Sequence, residues 1–546
     1  MDRKRAHLAD DNDENGGPSD KSTSTPRTLT HPISPPSKKR RLPDQPASDD
    51  KGKAKAVPDE AHHEAPAKTQ HEAPSSPPKA PEKRRSPFQL TRIRDLPPEL
   101  NKDTVTLPDL IGDPLLSECW EFNYLHSIPF LLSALDPDVR PLVKIHIIHG
   151  FWKRDDPRRL ALAADAAPHP NITLHTAYLP VPFGTHHTKM LILFRRDATA
   201  QVVIHTANLI PHDWTNMTNA VWCSPRLPLL SSPETLPPNP LPGTPAAFQT
   251  TLLSYLSSYP RSVHTPLTAS LRSYSFAPIR AHLIASVPTP SPPHSPSPVP
   301  FGWPSLPPVL RTIPTSPGIP ATIALQISSI ATLGPTDIWL RQILFPALAP
   351  SDHARVKWKV IFPTPEEIRA SLAGYASGTS IHTKTQSAQQ GKQLGYLRGM
   401  FCRWDGGGGR DAGRGRAAPH VKTYVRYAAA EEGKGEGGPR VEWALLTSAN
   451  LSKQAWGEGR NKEGRVRVAS YEMGVLVWPG LWGEGKVMEG VFGRDEVEGE
   501  GEGVVPLRMA YGWPLKGYEE GDMPWVATKA YDEVDWMGRA WEGWGG

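Results

Sequence analysis

The chain has 546 residues, which is room for two or three domains, and a formal net charge of +5, which is compatible with a polyanionic partner. No apolar run approaches the ~18 residues of a membrane span, and the charged N-terminus lacks the apolar core of a signal peptide. The three cysteines have neither metal-ligand spacing nor an even count. The composition therefore argues against a membrane protein or a disulfide-framed secreted protein, and a reducing compartment fits it best.

The first 87 residues differ in composition from the rest of the chain. Pro, Ser, Lys, Asp and Glu are plentiful there, and no aromatic residue precedes Phe88. Such a segment cannot bury enough apolar surface to offset the entropy of ordering, so residues 1–87 are predicted to be a disordered tail. Basic clusters at residues 38–41 and 83–85 are of nuclear-localisation type and predict a nuclear protein, although a solvated run of charges has the same composition.

Strand-like and helix-like patterns alternate from Phe88 onward. In the first part of the chain, strands are predicted at residues 142–149, 171–178, 189–194 and 201–206, and helices at residues 158–167 and 248–258. A second series of strands is predicted at residues 321–327, 356–362 and 441–447. Strands mixed with covering helices predict an α/β sandwich in each of two similar halves, residues 88–275 and 276–546.

Two segments of biased composition interrupt the second half. Residues 287–308 contain ten prolines, a density that excludes a helix or a central strand and predicts a surface loop or a polyproline linker. Residues 405–416 form a Gly/Arg-rich loop just before the second catalytic motif described below. Its arginines could contact phosphate, and a flexible insertion explains the composition equally well.

Two pairs of a histidine and a lysine two positions apart each stand shortly before a similar strand-like run. The first pair is His187 and Lys189, and the second is His420 and Lys422. In extended chain, residues i and i+2 point to the same face, so the two side chains of each pair project together. A single such pair has little specificity, but its repetition in two similar halves predicts a duplicated fold with one shared site.

Each pair is followed by an asparagine in a similar context. Asn208 and Asn450 each close a run that passes through Thr into Ala-Asn-Leu. One neutral imidazole can attack phosphorus while the other donates a proton to the leaving oxygen. The lysines and amides can hold the remaining oxygens, whose charge must be balanced where no metal does it. Because neither motif contains the clustered Asp or Glu of a magnesium-dependent nuclease, a phosphodiesterase without metal or other cofactor is predicted.

At these residues the chain resembles the phospholipase D superfamily and, within it, the tyrosyl-DNA phosphodiesterase family. General members of the superfamily carry an Asp at the fifth position after the lysine, where this chain has Phe194 and Tyr427. The absent Asp, together with the later Asn, is characteristic of the tyrosyl-DNA phosphodiesterase branch. The resemblance extends over about residues 87–546.

The resemblance implies two phospholipase D-like α-β-α sandwich halves with one active site at their interface. It further implies a monomeric nuclear DNA-repair hydrolase that acts on a 3′ DNA end joined to tyrosine, as left by a stalled topoisomerase I. His187 would be the nucleophile, and His420 would be the general acid and then the general base. The phosphate would be held by Lys189, Lys422, Asn208 and Asn450.

The resemblance also assigns supporting residues. Glu472 would orient and polarise His420, and Asp213 would help the first half in a similar way, although either could form an ordinary buried ion pair. The candidate contacts to single-stranded DNA are Phe183, which could stack on a base, and the hydroxyls of Ser329, Thr332 and Ser452.

Two positions depart from the family pattern, and two further histidines near the motifs are predicted to have structural roles. Asn219 stands where the family commonly has a longer amide, and Gln454 replaces a small residue, so both could alter substrate fit. His186 and His205 are predicted to pack or form hydrogen bonds behind the site, since the register turns His186 away from the face of His187.

Two other functions are compatible with parts of the sequence. A phospholipase would use the same paired motifs, but the basic tail, the missing Asp and the lack of an amphipathic or anchoring segment disfavour it. A DNA-end-binding scaffold with a decayed site is disfavoured because all six positions of the two motifs are complete.

Overall fold

The computed structural model describes residues 85–289, 299–316, 320–428, 438–496 and 503–543. The tail predicted to be disordered lies outside the described residues except for its last three positions. There Ser86 is buried, its backbone N–H donates to the carbonyl of Asp495 (2.8 Å), and its hydroxyl accepts the N–H of Arg508 (2.8 Å). The ordered part of the chain therefore begins a few residues before Phe88, and the backbone of Ser86 is paired with the C-terminal half.

The first sheet is built from strands of the N-terminal half. Its strands are β1 (Gln89–Leu90), β2 (Leu116–Phe122), β3 (Lys144–His149), β4 (Ile172–Thr176), β5 (Met190–Arg195), β6 (Thr199–His205), β7 (Ala220–Cys223) and β8 (Leu227–Pro228). Their order is β1-β7-β6-β5-β2-β3-β4, with β8 also paired to β6. Strands β2, β3 and β4 are parallel, whereas β5 and β6 pair antiparallel with their neighbours. The sheet is therefore mixed.

The second sheet repeats this plan in the C-terminal half. Its strands are β9 (His282–Ser286), β10 (Thr322–Gln326), β11 (Lys357–Ile361), β12 (Phe401–Cys402), β13 (Thr423–Tyr427), β14 (Arg440–Thr447), β15 (Glu472–Val477), β16 (Val487–Val491) and β17 (Val504–Arg508). The main order is β12-β11-β10-β13-β14-β15-β9, and β16 joins β14 to β17. As in the first sheet, parallel strands (β10, β11, β12) stand beside an antiparallel set (β13, β14, β15).

Short helices cover the sheets. In the described residues they are α1 (Leu107–Ile111), α2 (Ile128–Ala134), α3 (Pro157–Ala166), α4 (Pro211–Thr215), α5 (Pro245–Leu256), α6 (Arg261–Leu271), α7 (Leu306–Leu310), α8 (Phe345–Leu348), α9 (Pro365–Arg369), α10 (Ala388–Leu397) and α11 (Lys453–Trp456). None of the helices in these described ranges is both long enough and apolar enough to cross a membrane.

The two sheets share one apolar core. Side chains of β5 and β6 from the first sheet lie in the same buried cluster as those of β13, β14 and β15 from the second, together with α5 and α6. Separate clusters fill the other faces, between the first sheet and α1–α3 and between the second sheet and α7 and α8. Both sheets belong to one compact unit, so the two halves are held together by apolar burial and not by a linker alone.

The sequence predicted the class and most of the elements. The structure confirms a mixed α/β fold with two sheets. The strand predicted at residues 189–194 is β5, displaced by one residue, and the helix predicted at residues 158–167 is α3. β5 was readable as a short continuous apolar run, which fits its burial at every position.

The prediction that residues 287–308 contain no helix is wrong at their C-terminal end. Helix α7 begins at Leu306, directly after a 3₁₀ turn at Trp303–Ser305. The second and third residues of α7 are prolines, and the N–H groups in a helix's first turn have no intrahelical partner, so proline is tolerated there. The most proline-dense stretch, residues 290–298, lies outside the described residues.

The Gly/Arg-rich loop, residues 405–416, is packed against the C-terminal segment. Arg410 exchanges backbone hydrogen bonds with Trp513 (2.7 and 2.9 Å), and Trp404 Nε1 donates to the carbonyl of Arg414 (2.9 Å). The side chain of Arg414 is buried. A phosphate contact from this loop stays a prediction.

We expect the shared core to dominate stability. Leu446 of β14 is fully buried in it, so Leu446→Ala should lower the free energy of unfolding by ~2–5 kcal/mol through lost burial and a residual cavity. Leu241→Ala is the matched control, because Leu241 is 74% exposed and its truncation should change stability by less than ~0.5 kcal/mol. Urea unfolding followed by tryptophan fluorescence measures both, and equal effects would contradict a core shared by the two sheets at Leu446.

Candidate active site

Each His-x-Lys segment is held by the opposite half of the molecule. The segments lead directly into β5 and β13 and are not part of those strands. The N–H of His187 donates to the carbonyl of Tyr471 (3.0 Å), and the N–H of His420 donates to the carbonyl of Thr218 (2.9 Å). This reciprocal pairing brings the two segments together, as the duplicated motif predicted.

The two lysines lie fully buried inside the site. Each Nζ donates to the carbonyl oxygen of the histidine two positions before it, Lys189 to His187 (3.0 Å) and Lys422 to His420. Burial lowers the pKa of Lys189 to about 8, although Glu472 opposes the shift, and burial together with the charge of Lys189 holds the pKa of Lys422 well below its ordinary value. Two close ammonium groups out of water create a strong preference for an anion.

The asparagines follow β6 and β14, at the ends of the strands next to the His-x-Lys segments. Asn450 Oδ1 accepts the N–H groups of Ser328 (3.1 Å) and Ser329 (2.9 Å), so the amide's NH₂ group is what it can offer a ligand. The backbone N–H of Asn208 donates to Asp213 Oδ2 (2.6 Å), which fixes the start of the loop that leads into α4.

The carboxylates support the histidines of the opposite half, which corrects the predicted pairing. Glu472, expected to orient His420, instead accepts the Nδ1–H of His187 (2.9 Å). Asp213, expected to help the first half, lies 3.1 Å from Nδ1 of His420. The reason lies in the backbone, because Glu472 directly follows Tyr471, the residue to which His187 is paired.

Both carboxylates are buried and have further hydrogen-bond donors. Glu472 Oε2 also accepts the hydroxyl of Ser448 (2.5 Å). Asp213 shares Nδ1 of His420 with Asn219, whose Oδ1 is 3.2 Å from the same nitrogen. Burial raises the pKa of Asp213, while the hydrogen bond from Asn208 opposes that rise. The shorter amide at Asn219 thus supports His420 together with a carboxylate.

Burial disfavours the protonated form of both histidines of the site. Burial lowers the pKa of His187, and the nearby Glu472 carboxylate opposes this shift. Burial and then the charges of Lys422 and Lys189 hold the pKa of His420 well below its usual value. An anion bound between the lysines would offset their charge, so its arrival should raise the pKa of His420.

The two other motif histidines lie away from this arrangement, as predicted. His186 contacts the carbonyl of Asn123 through Nδ1 (2.8 Å) and the hydroxyl of Tyr259 through Nε2 (2.9 Å). His205 is buried with its ring 5.8 Å from that of Trp214. Both are packing residues behind the site.

The candidate DNA contacts surround the site on loops. Phe183 is 92% exposed and has a positive φ of 61°, while the Ser452 hydroxyl caps α11 by accepting the N–H of Ala455 (3.0 Å). Ser329 and Thr332 lie on the loop after β10, where Thr332 Oγ1 accepts from Gln390 (3.4 Å). Their contact with DNA stays a prediction.

One histidine near the site was missed by the sequence reasoning. His382 is bound through its backbone to the loop after β10, to the carbonyl of Ser328 (2.9 Å) and from the N–H of Ile330 (2.8 Å). Burial and then the charge of Lys422 lower its pKa to about 4, and His187 contributes to the shift. His382 and Lys384 have the same His-x-Lys spacing as the two motifs, which was a signal in the sequence, but no run ending in Ala-Asn-Leu follows them closely.

Side chains that could bind a metal ion do not cluster in the described part of the chain. In residues 85–543, excluding the undescribed gaps, no three His, Cys, Asp or Glu side chains converge in a way that could hold a metal ion.

Comparison with known proteins identifies the family. The family model for tyrosyl-DNA phosphodiesterase matches residues 87–519. A probable tyrosyl-DNA phosphodiesterase of Schizosaccharomyces pombe is 30% identical over 531 residues, covering 84% of this chain and 95% of the relative. A probable tyrosyl-DNA phosphodiesterase of Caenorhabditis elegans is 30% identical over 467 residues, covering 82% of this chain and 89% of the relative.

A solved structure supports the fold. The crystal structure of the yeast tyrosyl-DNA phosphodiesterase superimposes with a TM-score of 0.62 at 22% identity, covering 81% of this chain and 99% of that chain. With the family model matching residues 87–519 and a relative 30% identical over 84% of this chain, the chain belongs to the tyrosyl-DNA phosphodiesterase family and is a phosphodiesterase.

Proposed function

We propose that this enzyme hydrolyses the 3′-phosphotyrosyl bond between DNA and a topoisomerase I-derived peptide, through a phosphohistidine intermediate, and leaves a 3′-phosphate. The observation that carries the proposal is the convergence of two His-Lys pairs in one buried site, each histidine bound at Nδ1 by a carboxylate from the other half. The same chemistry would act on other 3′ blocking groups. The basic clusters at residues 38–41 and 83–85 support a nuclear DNA-repair role, and we propose that the enzyme acts as a monomer.

In the first step His187 attacks phosphorus. Glu472 accepts the Nδ1–H of the neutral imidazole, so the lone pair of Nε2 is available. A bond forms between Nε2 and phosphorus while the bond from phosphorus to the tyrosine oxygen breaks. His420, protonated once the phosphate is bound, transfers its proton to that oxygen. Lys189 and Lys422 stabilise the charge on the non-bridging oxygens.

In the second step water replaces the histidine. His420, now neutral, accepts a proton from water as the water oxygen bonds to phosphorus and the bond from Nε2 to phosphorus breaks. The products are a 3′-phosphate end and free His187. Asp213 stabilises the imidazolium that His420 becomes at this point, because their atoms are 3.1 Å apart.

The proposed reaction requires no metal. We expect the full chain to convert an oligonucleotide with a 3′-phosphotyrosine to the 3′-phosphate in excess EDTA, because lysines and amides supply the charge stabilisation that Mg²⁺ would otherwise give. A labelled strand resolved on a denaturing gel measures the conversion. Cleavage only after Mg²⁺ is added would contradict the proposed mechanism, and cleavage of phospholipid vesicles with DNA untouched would indicate a phospholipase.

The division of labour between the histidines can be tested by trapping. His420→Asn should allow attack by His187 but leave water without its base, so a covalent DNA–protein adduct should accumulate in single-turnover reactions. His187→Ala is the paired control and should give neither adduct nor product while oligonucleotide binding persists. Adduct formation by His187→Ala would place the nucleophile elsewhere.

Because Glu472 contacts His187 and Asp213 contacts His420, replacing each carboxylate should slow a different step of the reaction. Asp213→Asn should slow hydrolysis of the intermediate by ~10- to 100-fold, because it removes the carboxylate next to His420, and some adduct should accumulate. Glu472→Gln should slow formation of the intermediate by a similar factor, without accumulation, because it removes the partner of His187. Rapid-quench measurement of adduct and product separates the two steps. Adduct accumulation in Glu472→Gln and not in Asp213→Asn would restore the pairing expected from the sequence.

A further inference from the structure

An exposed loop rich in cations leaves the active site. This basic loop, residues 457–467, runs from the end of α11 to the segment that precedes β15. Its charged residues are Glu458, Arg460, Lys462, Glu463, Arg465 and Arg467, all exposed, which gives an excess of two positive charges.

The basic loop is ordered by its own backbone. Glu458 donates its N–H to the carbonyl of Arg467 (3.0 Å), and Asn461 donates its N–H to the carbonyl of Arg465 (2.9 Å). Asn461 Oδ1 closes the tip by accepting the N–H groups of Glu463 (3.1 Å) and Arg465 (2.9 Å). The cations are therefore presented from a preformed hairpin-like turn, which lowers the entropy cost of binding a ligand.

Both ends of the basic loop are anchored at catalytic elements. The carbonyl of Gln454 accepts the N–H groups of Ala469 (3.1 Å) and Ser470 (3.0 Å), which closes the loop at its base. The hydroxyl of Ser470 accepts the N–H of Thr185 (3.1 Å), two residues before His187. The loop therefore begins and ends next to the segment that carries His187.

The ion pairs within the basic loop leave its cations available. Arg465 pairs with Glu463 (2.8 Å) and Arg467 with Glu458 (3.3 Å), but these side chains are all at least half exposed, and such pairs contribute little. Arg460 lies over the ring of Trp303 at 5.1 Å. On the other side of the loop's base, Gly184 lies so close to the carbonyl of Ala469 that a Cβ would not fit. The residue before it is Phe183, whose ring is exposed.

We propose that the basic loop binds the sugar–phosphate backbone of single-stranded DNA on the 5′ side of the scissile phosphate. The inference rests on the proposed function for the strand's position. Cations on a fixed turn, with the exposed ring of Phe183 near the base of the loop, match a nucleic acid strand, because its phosphates can bind the cations and its bases can stack on the ring. An acidic peptide would use the cations alone.

The experiment is binding of unmodified, fluorescent single-stranded oligonucleotides of 4 and 14 nucleotides, measured by anisotropy on the full chain. Lys462→Glu/Arg465→Glu at the loop tip should weaken binding of the 14-mer about tenfold and lower the slope of log Kd against log salt by ~1.4, because two phosphate contacts are lost. Binding of the 4-mer should change little. Lys102→Glu/Arg311→Glu, which reverses one exposed lysine and one exposed arginine elsewhere, is the matched control and should leave the length dependence intact.

Two outcomes would overturn the inference. Equal effects of the tip and control variants would mean that only the net charge of the protein matters and that the loop makes no specific contact with DNA. Unchanged oligonucleotide binding by the tip variant, with slower cleavage only of substrates that carry a long peptide, would assign the loop to the peptide. Because anisotropy needs no cleavage, a failure of the proposed reaction on phosphotyrosyl DNA is distinguishable from a failure of this inference.

Discussion

The site depends on the backbone pairing that each half gives to the other's catalytic segment. His187 is bound to Tyr471 and His420 to Thr218, so the position of each imidazole is set by the opposite sheet. Apolar burial between β5, β6 and β13–β15 keeps the sheets together and maintains this pairing. The position of the Glu472 carboxylate is set by the same backbone pairing, because Glu472 begins β15 immediately after Tyr471.

The electrostatic character of the site follows from putting two lysines where water does not reach. Burial disfavours a charged ammonium and lowers the pKa of Lys189 and of Lys422, and the charge of Lys189 lowers the pKa of Lys422 further. A phosphate group bound between the two lysines would offset the cost of burying their charges. In the proposed mechanism the same anion would favour protonation of His420, so substrate binding would itself prepare the general acid.

Much of this could be read from the sequence, and the exceptions have physical reasons. The repeated polar triplet survives as a pattern because its residues are close together in the chain, so His187, Lys189 and Asn208 were identifiable. The pairing of Glu472 with His187 was not, since it depends on contacts 285 positions apart that no local pattern encodes. Helix α7 was missed because proline density was weighed without regard to position, and the first helical turn accepts proline.

The exchange of carboxylates has a consequence for how this chain can vary. Neither half contains both members of either histidine–carboxylate pair of the site, because His187 takes its partner from the second half and His420 takes its partner from the first. A substitution of either carboxylate therefore changes the environment of the site histidine in the other half. The two copies of the motif are therefore constrained together, since each half supplies the carboxylate that contacts the other half's histidine.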